Sequence, residues 1–353
     1  MPTFATRYVA LKRETAYGGG TGSNTAYGEV DDESMSHNFD ILTRSDMSRF
    51  GAAKSINGKE YSEGGLNFAI QCDDFAALCF WGIYGADTAT PATPVDKHLL
   101  TEAVASTLPS FEISIGRDDN EHTYSGCAVS RLAISASIGE YVTMSVDFVG
   151  KAESAIGSLA TPTFGGATLD AVAFDTCAVH FNNDATASDY VKSISIEWNT
   201  NLDTDNACAL GNSTYIRQPP MQMREITGSV EFTRIILDAA GAPTSPAQQS
   251  EPAYDDLIAV NGLEFNADAA ATDTAIKMVL TDVDSNVVTI ELFKVRWEAP
   301  DSSVSGRDSQ TETLNFTALY DADGSNPAGA MSQVTLDASA GVNVFTDVDL
   351  DVY

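Results

Sequence analysis

The run "CAVSRLAISASIGEYVTMSVDFVGK" at residues 127–151 constrains the fold more than any other stretch of the chain. Leu132, Ile134, Ala136 and Ile138 alternate with Ala133, Ser135 and Ser137. After the turn at Gly139-Glu140, Val142, Met144, Val146 and Phe148 alternate with Thr143, Ser145 and Asp147. A period of two places successive side chains on opposite faces of a sheet, so these residues predict two antiparallel strands, one face apolar and the other small and polar.

The same texture recurs. Residues 111–129 predict a hairpin turning at Asp118-Asp119-Asn120, residues 190–198 and 227–235 predict single strands, and residues 275–293 predict a hairpin turning at Asp282–Asn286. Residues 312–320 predict the last strand. Helical spacing is confined to two segments. Phe75, Leu78, Cys79 and Ile83 lie three or four apart in residues 72–85, behind Asp73 and Asp74. Residues 251–262 repeat this design, with Pro252 early, Asp255 and Asp256 in the first turns and Gly262 at the end. Residues 18–33, 86–97, 239–250 and 298–310 read as long loops.

Order along the chain points to an internal duplication. Gly64-Gly65-Leu66-Asn67-Phe68, an acidic-start helix, a hairpin and a strand ending at Phe148 are followed by the same series. The second series runs from Gly228-Ser229-Val230-Glu231-Phe232 to Phe316. Phe68 and Phe232 are 164 positions apart, and Phe148 and Phe316 are 168 apart. The fold expected is mainly β, with two tandem related β-sandwich domains, each flanked by a short helix. The first occupies 1–152, a Gly/Ser/Thr-Pro-rich linker 153–165, the second domain 166–335 and a C-terminal segment 336–353.

Composition limits function. The 353 residues carry 19 Lys and Arg against 50 Asp and Glu, a net charge of −31, spread along the chain. That balance excludes a basic nucleic-acid-binding surface. Dispersed carboxylates with few lysines suit a protein that works in concentrated salt, where screening lengths shrink to roughly 3 Å. The five cysteines form no metal-binding spacing and read as buried small hydrophobes in a reducing compartment. The N-terminus lacks the apolar region of a secretory signal, and no run of 18 apolar residues predicts a membrane span.

No catalytic motif emerges. His37, His98, His122 and His180 are isolated from one another, no nucleophile elbow appears, and "GGGTG" at 18–22 lacks the lysine of a phosphate loop. The acidic run at 321–326 puts Gly324 at the fourth position and Asn326 at the sixth, where a calcium loop needs glycine, and no glutamate closes it; the run at 282–286 reads as a hairpin turn. Neither cofactor, metal nor enzymatic activity is expected.

Several segments together resemble major tail tube proteins of long-tailed, siphovirus-type viruses. They are "RYVALKRETAYG" (7–18), residues 124–151, "SISIEWNTNLDTDNA" (193–207), "YIRQPPMQMREITGSVEF" (215–232) and residues 294–321. The acidic balance resembles a version from a virus of halophilic archaea. The resemblance implies β-sandwich domains whose sheets join between chains into a large barrel, in rings that self-assemble and stack into a tube. A duplicated chain implies a homotrimeric ring with pseudo-sixfold symmetry, with a homohexamer as the alternative. It also implies a virion-tail location after assembly in the host cytoplasm, and contacts with tape measure, tail terminator and tip proteins. DNA would pass through the lumen without specific binding, and no membrane would be involved. Ser135, Ser137, Thr143, Ser145, Asp147, Ser193, Ser195, Ser229, Glu231 and Thr233 are the candidate lumen-facing residues. Residues 18–50 and 200–222 are candidates for contacts with the next ring. The competing readings are a capsid-decorating or adhesive surface β-sandwich and a secreted halophilic hydrolase.

Overall fold

The computed structural model describes residues 7–45, 47–48, 50–51, 54–92, 95–103, 108–164, 171–181, 187–211, 214–233, 274–298, 311–320 and 330–338. Among them are 18 strands and one α-helix, and hydrogen-bonded ladders connect every strand into a single network. The helix expected at 251–262, the loop expected at 239–250 and the acidic run 321–326 lie outside the described residues, as does nearly all of the loop expected at 298–310.

The first half contributes β1 (Arg7–Ala16), β2 (Gly19–Gly28), β3 (Asp32–Glu33), β4 (Ser36–Arg44) and β5 (Lys54–Ala69). After the helix come β6 (Gly85–Ala92), β7 (Val95–Glu102), β8 (Phe111–Arg117), β9 (Asn120–Ser137), β10 (Thr143–Gly150) and β11 (Ala152–Gly157). The second half contributes β12 (Cys177–Phe181), β13 (Val191–Asn199), β14 (Glu225–Thr233), β15 (Thr274–Thr281), β16 (Val287–Trp297), β17 (Thr311–Ala318) and β18 (Ser332–Asp337).

The two halves pair their strands in the same order, always antiparallel. In the first half β1 pairs with β8, β8 with β9, β9 with β10, β10 with β5, and β5 with β3 and β4. In the second, β12 pairs with β15, β15 with β16, β16 with β17, β17 with β14, and β14 with β13. Register agrees as well as order: Phe148 sits opposite Gly64 and Val146 opposite Leu66, while Phe316 sits opposite Gly228 and Leu314 opposite Val230. β11 pairs with β9 as β18 pairs with β16. Strand β9 is long enough to serve two ladders. Its first half lies between β8 and β11, and its second half lies between β10 and β13. The β9–β13 ladder thereby joins the sheets of the two halves, and their buried apolar residues form one continuous core.

Helix α1 (Asp74–Tyr84) was expected to bury one stripe; every residue from Phe75 to Tyr84 is buried. A helix apolar all round must be enclosed, and aromatic edges do this: Phe68 meets Phe75, and Trp81 meets Phe111, which meets Phe148. Asp73 caps the helix by accepting the Ala76 N–H at 2.9 Å, and Gly85 ends it in the left-handed conformation. Burial outweighs these backbone hydrogen bonds and pushes the Asp73 carboxyl up to about 7. A carboxyl raised above its unfolded value binds its proton more tightly when folded. Its stability contribution is therefore greatest at acid pH and falls as pH rises from about 4 to about 7. Asp73→Asn keeps the accepting oxygen without the charge. We expect its urea midpoint to exceed the parent's at pH 8 and to converge with it near pH 4.5. A lower midpoint at pH 8 would mean that the charge on the helix dipole outweighs its desolvation.

Several expected loops are strands. Within residues 18–33 lie β2 and β3, and residues 86–92 and 95–97 belong to the paired strands β6 and β7. Residues 36–44 and 54–69 form the long β4–β5 hairpin. Chain expected to be linker begins inside β11, which stays in the first half's ladder through Gly157. Ile138 does not continue the apolar face of β9: it is 61% exposed at the turn. By contrast, the turn at Asp282–Asn286 forms as expected, with the Asp282 carboxylate accepting from the Asp284 and Asn286 N–H groups at 2.9 and 2.7 Å.

Candidate functional site

Six adjacent strands, in the order β5, β10, β9, β13, β14, β17, make one continuous wall across both halves. Antiparallel register places directly paired residues on the same face. One row across the wall runs Thr143, Ser135, Ser195, Ser229, Asn315. The next runs Asn67, Ser145, Ala133, Glu197, Thr227, Thr317. Ser137, Ser193, Glu231 and Thr313 form a third. Leu132, Ile134, Val146, Phe148, Ile194, Ile196, Trp198, Val230, Leu314 and Phe316 fill the opposite, buried face.

The structure therefore brings the candidate residues together on a single face. Ser135, Ser137, Thr143, Ser145, Asp147, Ser193, Ser195, Ser229 and Glu231 all occupy it, none of them buried. The backbone register of Thr233, opposite Thr311, puts it at the same end of the wall. The hydroxyls bond to one another along the sheet: Ser135 Oγ lies 2.8 Å from Thr143 Oγ1, and Ser195 Oγ lies 2.9 Å from Ser229 Oγ. A face whose donors and acceptors are already paired across strands holds a passing ligand weakly.

Arg131 is the residue that sequence reasoning missed. It stands on this polar face and is held from both sides, at 2.7 Å to Glu197 on β13 and 3.3 Å to Asp147 on β10. The Glu197 hydrogen bond chiefly, with Asp147 second, raises the guanidinium further above its ordinary range, and Arg131 in turn lowers the Glu197 carboxyl. Alternation alone assigns Arg131 to this face; its partner Glu197, 66 residues away, is visible only in the fold. Asn67, Thr227, Asn315 and Thr317 also extend the face beyond the residues expected.

At one end of the wall the β4–β5 hairpin extends past its neighbours. Phe39, Ile41, Leu42 and Ile56 on it are 50–66% exposed. The corresponding connection in the second half, between β13 and β14, instead folds back. Tyr215 bridges to Glu60, Ile216 N–H donates to the Glu60 carbonyl, and Lys59 Nζ reaches the Thr204 carbonyl at 2.9 Å.

Among the described residues no cluster of three or more His, Cys, Asp or Glu has metal-binding geometry, and no helix is long and apolar enough to cross a membrane. All five cysteines are free thiols: Cys72, Cys79 and Cys127 are buried, and Cys177 and Cys208 are partly so. Burial pushes the Cys72, Cys79 and Cys127 thiols well up and Cys177 up to about 12, which suppresses the reactive thiolate.

No curated protein matches the chain. The family model described as phage tail tube protein matches residues 5–318, nearly the whole chain, which makes this protein a member of the phage tail tube family and a structural component of the virion tail.

Proposed function

We propose that this chain builds the wall of a siphovirus-type tail tube, a conduit for viral DNA, with the Ser/Thr face of the six-strand wall lining the bore. The observation that carries this reading is the continuity of that face across both halves, with Arg131 neutralised by Asp147 and Glu197. Phosphate is attracted by unpaired Lys and Arg, so a bore of hydroxyls with surplus carboxylate, its Arg131 held between two of them, lets DNA slide.

The shared ladder order and the matching register of Phe148–Gly64 and Phe316–Gly228 support an internal duplication. Each chain then supplies two wall units, and three chains close a pseudo-sixfold ring. Six wall strands from each of three chains, ~4.8 Å apart and tilted about 45°, enclose a backbone barrel roughly 40 Å across, inside a tube about 100 Å wide. Closure also removes the exposed sheet edges. The net charge of −31 supports a virus of halophilic archaea, with assembly in the host cytoplasm and with tape measure, terminator and tip proteins as the tube's other partners.

Negative-stain microscopy of the purified protein in molar salt tests the reading. We expect open tubes with three chains per ring in top view. A protein that stays monomeric at high concentration and high salt would overturn it.

The β4–β5 hairpin projects along the strand direction and carries its apolar side chains into solvent, which suits a contact with the next ring. Ile41→Asp combined with Leu42→Asp should leave single rings and abolish long tubes. Tubes of parental length from this variant would assign stacking to another surface.

A further inference from the structure

We propose that Arg224, Glu102 and Ser332 form a buried lock that fixes the angle between the two halves of the chain's wall. Through that angle the lock sets how many chains close a ring. The first statement concerns the single chain; the second rests on the ring reading above.

The need for a lock follows from how the halves are joined. In the wall they meet through one ladder, β9–β13. Neighbouring strands rotate against each other by anything from about 10 to 35°, so one ladder leaves the bend between two sheets loosely defined. A second tie, away from the ladder, is needed to fix it, and helix α1 supplies it. The helix is seated on the first half. A Cβ at Gly82 would lie 2.6 Å from Val129 Cγ2 and 2.7 Å from Phe111 Cε2, so the helix approaches β8 and β9 as closely as only glycine allows. Its last turn has no basic residue of its own. The cation comes from the second half. Arg224, just ahead of β14, donates from Nη2 to the Ile83 carbonyl at 2.9 Å, one of the carbonyls that a helix end leaves unpaired.

Glu102 completes the tie. It stands at the end of β7 opposite Gly85, which terminates the helix, and its carboxylate lies 3.7 Å from Arg224 Nη1. The same carboxylate accepts from the Ser332 hydroxyl at 3.0 Å and from the Met331 N–H at 3.2 Å, where β18 of the second half begins. Ser332 Oγ in turn accepts from the Tyr84 hydroxyl at 2.8 Å and from Trp198 Nε1 at 3.5 Å. Tyr84 is the last residue of α1, and Trp198 lies in the wall on β13. Every one of these contacts except Trp198–Ser332 crosses from one half to the other. The Arg224 and Glu102 side chains are only 7% and 11% exposed, and Ser332 is fully buried. Stability does not account for the cluster. Arg224 Nε has no acceptor among the described residues, and apolar side chains of similar volume generally stabilise a core as well as a buried ion pair does. What directed bonds add over apolar packing is a single geometry. The repeat carries the same message. The counterpart of Arg224, 164 positions earlier, is Glu60, so the cluster belongs to the junction inside the chain and not to the repeated unit.

The test combines Arg224→Met with Glu102→Gln, which removes both charges together and leaves an amide to meet Ser332 and Met331. Spin labels at Ile156→Cys on β11 and Val283→Cys in the β15–β16 turn, positions 63% and 64% exposed, report the angle in the unassembled chain. The chain without these two cysteines, labelled in the same way, gives the background from native thiols. We expect a narrow distance distribution with the cluster intact and one at least about twofold broader without it, at a denaturant midpoint close to the parent's. Tubes assembled from the double variant should then vary in diameter where the parent's are uniform. An equally narrow distribution from the folded double variant would overturn the lock. Loss of folding would overturn it too, by assigning the cluster to stability instead of angle. Variant tubes of uniform, parental diameter despite broadened distances would overturn its role in ring closure. If the distances behave as expected but the parent forms no tubes, the ring reading fails and the lock within the chain stands.

Discussion

Ser135→Lys combined with Ser195→Lys should slow DNA passage through assembled tubes by at least about tenfold, with tube morphology unchanged. The two serines face each other across the β9–β13 ladder, near the middle of the wall, and neither is buried. Each is hydrogen-bonded to a neighbouring hydroxyl, Thr143 or Ser229, so neither supports the core, and the sheet tolerates substitution there. A lysine at either position carries its ammonium beyond the short hydroxyls around it. In the proposed tube, three copies per ring, repeated in every stacked ring, would turn two substitutions into long tracks of cation. The retardation should grow as salt is lowered, because each phosphate contact releases counterions. Ser135→Glu with Ser195→Glu is the matched control and should eject DNA near the parental rate. Parental ejection kinetics from the lysine variant, at the lowest salt that preserves tubes, would move this face out of the bore. Asp147→Asn with Glu197→Gln should act in the same direction more weakly, since it frees Arg131 rather than adding charge.

Gly228→Ala and Gly64→Ala should each destabilise the folded chain by about 3 kcal/mol. A Cβ at residue 228 would lie 2.3 Å from both the Ser195 carbonyl oxygen and Phe316 Cζ. That oxygen belongs to the β13 backbone inside the ladder, so relief requires strands to separate rather than a side chain to turn. At residue 64, φ is +156° and the Cβ would lie 2.5 Å from Met35 Cα and 2.6 Å from the Ser34 carbonyl oxygen. Both glycines face the terminal phenylalanine of their unit, so the pair also tests whether the two halves obey one packing rule. Gly157→Ala has nothing within 4 Å and serves as a neutral control. Denaturant midpoints measure all three, and changes below about 0.5 kcal/mol at both ladder glycines would refute the close-packing argument.

The wall was legible in the sequence because its strands declare themselves by alternation: β9, β10, β13, β14 and β17 stand where period two placed them. The offsets of 164 and 168 carried information on register, since they relate residues that occupy matched positions in two ladders. β2 and β6 were hidden. Their sequences, GGTGSNTAYG and GADTATPA, have loop composition, and neighbours β1 and β7 supply the ladders that make them strands. Ile138 kept the apolar rhythm past the point where the turn had begun. The Arg131 clamp and the β9–β13 junction were unreadable because both depend on residues more than 50 positions apart meeting across the fold.

The unequal fates of the two connections at the end of the wall set a periodicity of their own. The connection before β5 projects as an apolar finger, while its counterpart before β14 is folded against Lys59 and Glu60. In a ring of three chains the wall repeats every sixth of a turn, but fingers recur only every third. A ring laid on another with a sixth-turn error would match strand against strand and still leave every finger facing a folded connection. In the proposed three-chain ring the fingers would thus act as a key that fixes the rotational phase between successive rings, which the wall alone leaves ambiguous.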